Sequence, residues 1–107
     1  MFPRAERLRT TKDILQVFRK GQRLSRGVVS CSFLKKTGTL VRVTVIVDTK
    51  VSKKAVVRNL LKRRVRAILA GLALPTGDII IRLYKGADEV GFSLLTDQVR
   101  QCLNRLA

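Results

Sequence analysis

Val41-Arg42-Val43-Thr44-Val45-Ile46-Val47 is a run of β-branched residues, and it is followed by Ser52-Lys53-Lys54-Ala55-Val56-Val57-Arg58-Asn59-Leu60-Leu61-Lys62-Arg63-Arg64-Val65-Arg66. The first segment alternates Val41, Val43, Val45 and Val47 with Arg42, Thr44 and Ile46, the period of two that marks a strand. The second is helical. At about 100° per residue, Val57, Leu61, Val65, Ile68 and Leu72 share an arc of about 80°. Arg58, Asn59, Lys62, Arg63 and Arg66 share another of about 140°. One side is built for burial and the other is almost purely cationic. Arg64 falls at the edge of the apolar arc, where its stem can lie buried while its head reaches water. Ser52 is the expected N-cap, and Gly71 the stop after Ala70.

Downstream, Pro75-Thr76-Gly77-Asp78 reads as a turn. Ile79 to Tyr84 is an apolar strand broken only by Arg82, a central-strand composition. A strand, a helix and another strand across 40–84 predict a parallel pair. Upstream, Thr10-Thr11-Lys12-Asp13 resembles a capping box, and a short helix is expected at about 11–20, ended by Gly21. Val28 to Leu34 reads as a strand, and Lys35-Lys36-Thr37-Gly38-Thr39 as a polar connector of hairpin length. Ser93 is the expected cap of a last helix with Leu95, Val99, Cys102, Leu103 and Leu106 facing inward. The elements run α-β-β-α-β-α. The fold class is α+β, an α/β sandwich with about three helices on a mixed central sheet. Residues 1–107 form one domain by length, with 1–10 a flexible basic arm.

Charge narrows the partner. The chain has 23 Lys+Arg against 7 Asp+Glu, a net +16, yet 46% of its residues are hydrophobic. That composition folds, and its self-repulsion calls for a polyanion. Eight basic residues lie in 1–26 and eight more in 50–66, the latter with no acid. Lys54, Arg58, Lys62 and Arg66 stack like charges four residues apart, each pair costing a few tenths of a kcal/mol in isolation. A merely solvated face normally mixes signs, so nucleic-acid contact is the better reading. There is no histidine, which excludes triads and imidazole chemistry. The acids are scattered, so no catalytic residue and no metal site are assigned. Cys31 and Cys102 sit in apolar patterns, as buried thiols of a reducing cytosol do. No apolar run reaches a membrane span, and no secretory signal is recognisable at the start. A cytoplasmic location is expected.

The string from Lys53 to Arg66 resembles the signature helix of the bacterial ribonuclease P protein subunit: a basic residue, Ala, two variable positions, Arg-Asn-Arg, then Lys-Arg and a further Arg. The resemblance covers nearly the whole chain. Arg7-Leu8-Arg9, Asp13-Ile14 and Val17-Phe18-Arg19-Lys20-Gly21 match the family's opening, Val41 to Val47 its Val-rich strand, Asp78 to Ile81 the strand after the helix, and Gly91-Phe92-Ser93 the start of its last helix. There are departures. Leu60 replaces the second Arg of Arg-Asn-Arg, Asp48 is an acid where none is expected, and Ile14 stands where Phe is frequent. Ser32 stands where an exposed aromatic is frequent, with Phe33 one residue out of phase and therefore on the other sheet face.

The resemblance implies a ribosomal protein S5 domain 2-like fold with a left-handed β-α-β crossover, against the usual hand. It implies a non-catalytic protein subunit of an endoribonuclease. In that family the RNA subunit, with Mg²⁺ bound mainly by the RNA, removes the 5′ leader of precursor tRNA. The expected partners are ribonuclease P RNA and precursor tRNA, with no membrane and no protein partner. Lys50, Lys53, Lys54, Arg58, Asn59, Lys62, Arg63 and Arg66 are the expected contacts to the RNA subunit. Ile14, Phe18 and Phe92 are the expected leader contacts, with core packing the competing role for both phenylalanines. A ribosomal or other structural RNA-binding protein shares the composition but not the motif. A stand-alone basic nuclease would need metal-binding carboxylates.

Overall fold

The computed structural model describes residues 11–35, 41–72, 74 and 76–106. The elements are α1 (Thr11–Lys20), β1 (Gln22–Arg26), β2 (Val29–Lys35), β3 (Val41–Val47), α2 (Ala55–Ala70), β4 (Gly77–Leu83) and α3 (Phe92–Leu106). They form a four-stranded sheet in the order β1-β2-β4-β3. β2 is antiparallel to β1 and β4, and β3 is parallel to β4. The α+β class, the three helices and the mixed sheet are as the pattern predicts.

Two expectations about strands are corrected. The connector after Lys35 does not close a hairpin between β2 and β3, because β4 lies between them. Alternation identifies a strand but not its neighbour. The centre goes to the strand that can be buried on both faces, and that is β4, with Ile79, Ile80 and Ile81 all buried. β1 is an additional strand, so the order is α-β-β-β-α-β-α. Its sequence, Gln22-Arg23-Leu24-Ser25-Arg26, holds a single apolar residue, as suits an exposed edge. The readable signal is the Gly27-Val28 turn. Gly27 has φ 59° and no described non-glycine residue has positive φ, the combination of a type II′ hairpin turn. The Val28 N–H donates to Gln98 Oε1 at 3.1 Å, tying the turn to α3.

The two faces of the sheet differ. On one, Val29, Cys31 and Phe33 of β2, Val43, Val45 and Val47 of β3, and Ile79, Ile81 and Leu83 of β4 pack with Leu61, Val65, Ile68 and Leu69 of α2 and Leu95, Val99, Cys102 and Leu103 of α3. On the other, α1 seats Val17 against Ile80, with Ile14, Leu34 and Ile46 around them. Phe33 is buried on the α2/α3 side, as its phase predicts. Cys31 and Cys102 are free, buried thiols. The adjoining Cys102 thiol and burial both push the Cys31 thiol up, so it stays protonated.

Helix ends also differ from the pattern. The N-cap of α2 is Lys54, with no side-chain cap, while Ser52 acts two residues earlier. Its Oγ accepts from the Lys54 N–H at 3.2 Å and its carbonyl accepts from Arg58 Nη1 at 2.8 Å. Gly71 is the C-cap, as expected. α3 begins one residue before Ser93, which lies inside the first turn, and the Leu95 N–H donates to the Gly91 carbonyl at 3.0 Å. At the end of α1 the Gly21 N–H donates to the Val17 carbonyl at 2.8 Å. A Cβ at Gly21 would lie 2.6 Å from the Phe33 carbonyl oxygen, so only glycine lets the chain turn into β1. The predicted capping box at Thr10, the basic arm 1–10, the connector residues 36–40, the turn residue Pro75 and the side chain of Leu106 lie outside what is described.

Candidate nucleic-acid interface

α2 follows β3 because β3 ends in a turn built by an acid. The Val51 N–H donates to the Asp48 carbonyl at 3.0 Å. The Asp48 carboxylate accepts from Arg82 Nη2 at 3.2 Å and from the backbone of Lys50 and Thr49, and the Arg82 bond foremost lowers its pKa. The unexpected acid is thus turned to β4 rather than into the cationic row. It presents Lys50, Lys53 and Lys54 as exposed side chains before α2.

Along α2 the buried stripe of Leu61, Val65, Ile68 and Leu69 fixes the rotation of the helix. Arg58, Lys62 and Arg66 then form a half-exposed row along one flank of that stripe, with Asn59 and Arg63 exposed beside it. Arg64, also half-exposed, lies on the opposite flank. Arg58 commits one guanidinium N–H to the Ser52 carbonyl, which holds the planar head in place. A guanidinium offers five donors, so the fork keeps donors for phosphate oxygens. Leu60 is 43% exposed and Val56, one turn earlier, is 79% exposed. The departure at Leu60 therefore changes the outer surface and not the core.

The strand register sets α2 in place. Arg42 and Asp78 are directly opposed on β3 and β4. Arg42 Nε donates to Asp78 Oδ1 and Nη2 to Oδ2, both at 2.8 Å, and Asp78 is 1% exposed. A bidentate pair at a buried position specifies one register.

The structure separates the three residues assigned to a single-stranded partner. Ile14 is half-buried and packs against the small core under α1. Phe18 is 42% exposed on the same helix. Phe92 is 51% exposed but opens α3, which shares the other layer with α2. On the outer side of α1, Lys12, Arg19 and Lys20 surround Leu15 and Gln16 and line a pocket of about 250 Å³.

Sequence reasoning missed a further cluster on the α1 side of the sheet. Arg23 Nη2 donates to Tyr84 Oη at 2.7 Å, and the Arg82 guanidinium lies over the Tyr84 ring, 5.2 Å from its centroid. Burial pushes the Tyr84 phenol up, but a Ser30 bond and the nearby Arg23 and Arg82 outweigh it, and its pKa falls below the ordinary value. The signal was Arg82, the one break in an apolar strand. Among the described residues no three His, Cys, Asp or Glu side chains come together as a metal site. Asp48 and Asp78 are engaged by arginines, so this donor set does not fit a Mg²⁺ ion. No helix among the described residues is long and apolar enough to cross a membrane.

Comparison with known proteins agrees with this arrangement. The family model for Ribonuclease P matches residues 2–107. A ribonuclease P protein component of Pseudanabaena sp. is 33% identical over 107 residues, covering 96% of this chain and 92% of the relative. The ribonuclease P protein from Thermotoga maritima superposes with a TM-score of 0.84 at 31% identity, covering 95% of this chain and 98% of that one. The Staphylococcus aureus ribonuclease P protein, at 19% identity, shares the fold with a TM-score of 0.85 over 95% of both chains. The basic helix after a Val-rich strand, the mixed sheet and these matches together place the chain in the bacterial ribonuclease P protein family.

Proposed function

We propose that this chain is the subunit that docks on ribonuclease P RNA through α2 and guides the single-stranded 5′ leader of precursor tRNA along the α1 side of the sheet. The observation that carries the proposal is the Arg58–Lys62–Arg66 row beside exposed Asn59 and Arg63. The segment 50–66 that carries it contains no acid. Phosphates of the RNA subunit relieve the like-charge cost of that row, and Lys50, Lys53 and Lys54 extend it. Phe18 offers a half-exposed ring for a leader base, with Ile14 fixing its helix, and Phe92 has no part in this path.

Hydrolysis of the leader bond belongs to the RNA subunit, and Mg²⁺ is held mainly there. The protein lowers repulsion between RNA strands, which favours a compact complex when the ion is scarce. Two free thiols suit the reducing cytoplasm where we place the complex. Reconstitution tests the reading. Adding the chain to a bacterial ribonuclease P RNA should restore accurate 5′ processing at low Mg²⁺. RNA whose activity does not change on addition of the protein would refute it.

A further inference from the structure

β4 alternates its side chains, and Tyr84 follows it directly with its N–H donating to the Val28 carbonyl at 2.9 Å, so Ile80, Arg82 and Tyr84 share the α1 side of the sheet. Register brings Arg23 and Ser32 level with Ile80, and Ser25 and Ser30 level with Arg82. α1 packs its apolar residues on Ile80, Leu34 and Ile46. Towards the C-terminal end of β4 the same face becomes polar and aromatic, and there Tyr84 is half-exposed. Its hydroxyl is held by Arg23 and Ser30, and the Arg82 guanidinium lies over its ring.

Arg82 is itself positioned. Asp48 holds Nη2 at 3.2 Å, and Nε is buried with no hydrogen-bond partner among the described residues. An orphaned buried donor is unfavourable. The side chain keeps this place for its ion pair and its stack on the ring.

We propose that Tyr84 and Arg82 form a stacking platform for one nucleobase of single-stranded RNA, with Asp48 positioning Arg82 and Arg23 drawing the adjacent phosphate. This rests on the leader reading of the α1 face and adds a second aromatic to it besides Phe18. A phenol ring and a guanidinium plane both accept a base by stacking, whatever the base. Arg23 and Arg82 supply the charge that a phosphodiester on either side of that base needs. Asp48 is a positioning residue, since it acts through Arg82.

Tyr84 is the single tyrosine and the chain has no tryptophan, so its fluorescence reports this position alone. The full chain is titrated at low salt with a short oligouridylate and with an abasic oligomer of the same length. We expect oligouridylate to quench the emission and the abasic oligomer to bind without comparable quenching. Tyr84→Leu should weaken oligouridylate binding roughly 5- to 150-fold, the range of one stacked base. Tyr84→Phe keeps the ring and should restore most of the affinity, and Asp48→Asn should give an intermediate loss. Oligouridylate that binds, and weakens with Phe18→Ala, but leaves the emission unchanged overturns the Tyr84 platform and spares the leader reading. Equal loss in Tyr84→Phe and Tyr84→Leu also overturns it. No binding of oligouridylate at all overturns both.

Discussion

Replacing Arg42 by leucine should unfold much of what the register of this sheet secures. The Arg42 side chain is 25% exposed and that of Asp78 is 1% exposed, with two bonds of 2.8 Å between them. Removing the guanidinium strips a buried carboxylate of its bidentate partner, a loss of about 3–5 kcal/mol. A domain of this size holds about 5–15 kcal/mol in total, and each kcal/mol moves the melting temperature by roughly 4–8 °C. Urea unfolding followed by far-UV circular dichroism, at fixed sulfate, measures the change. The double variant Arg42→Leu/Asp78→Leu should recover most of the loss, because two apolar groups in place of the pair leave no buried charge. A single variant losing less than about 1 kcal/mol, the range of surface pairs, would refute the reasoning. So would a double variant no more stable than the single.

Arg58→Ala should weaken docking on the RNA subunit by about 1–3 kcal/mol, read as affinity at moderate salt, with circular dichroism checking that loss of the Ser52 contact leaves α2 formed. If roughly five leader phosphates are bound, log K should fall with log salt at a slope of about −3 to −4, and a flat response would remove the electrostatic contribution. Cys31 and Cys102 should resist a thiol reagent in the native chain and react together on unfolding; rapid native labelling would contradict their burial. The Asp48 carboxyl titrates below its ordinary value, so its pair with Arg82 contributes fully above the unfolded pKa and is lost as pH falls through the lowered folded one. Asp48→Asn should therefore flatten the acid side of the stability profile, and a profile identical to that of the parent chain would exclude the contribution.

The sequence was most legible where one period ran unbroken. Val41 to Val47 and the stripe from Leu61 to Ile68 stand in the structure where their spacing puts them. Gly21 and Gly71 end their helices because close approach and capping leave chemical marks at single residues. What stayed hidden depends on partners far along the chain. The pairing of β2 with β4 is a contest for the centre of the sheet, which no local pattern records. Ser52 has the right residue type for a cap but is used by Arg58, and β1 is too polar to stand out. At the candidate interface the cationic row was readable, since charge at helical spacing is itself a pattern. The Arg23–Tyr84–Arg82–Asp48 cluster was not, because its members come from β1, β4 and the residue after it, and the turn after β3.

The parallel pairing of β3 with β4 has a kinetic meaning. Val47 and Gly77 can join one sheet only after the whole of α2 has been looped between them. Such closure is entropically costly and comes before the contacts that reward it. Eight like charges travel in that loop with no acid among residues 50–66, so the search for the native state proceeds against repulsion that shrinks as counter-ions gather. A polyanion that gathers the loop is thus a template for closing the sheet as well as a ligand of the finished fold. Assembly of the ribonucleoprotein and maturation of its protein half become a single coupled process.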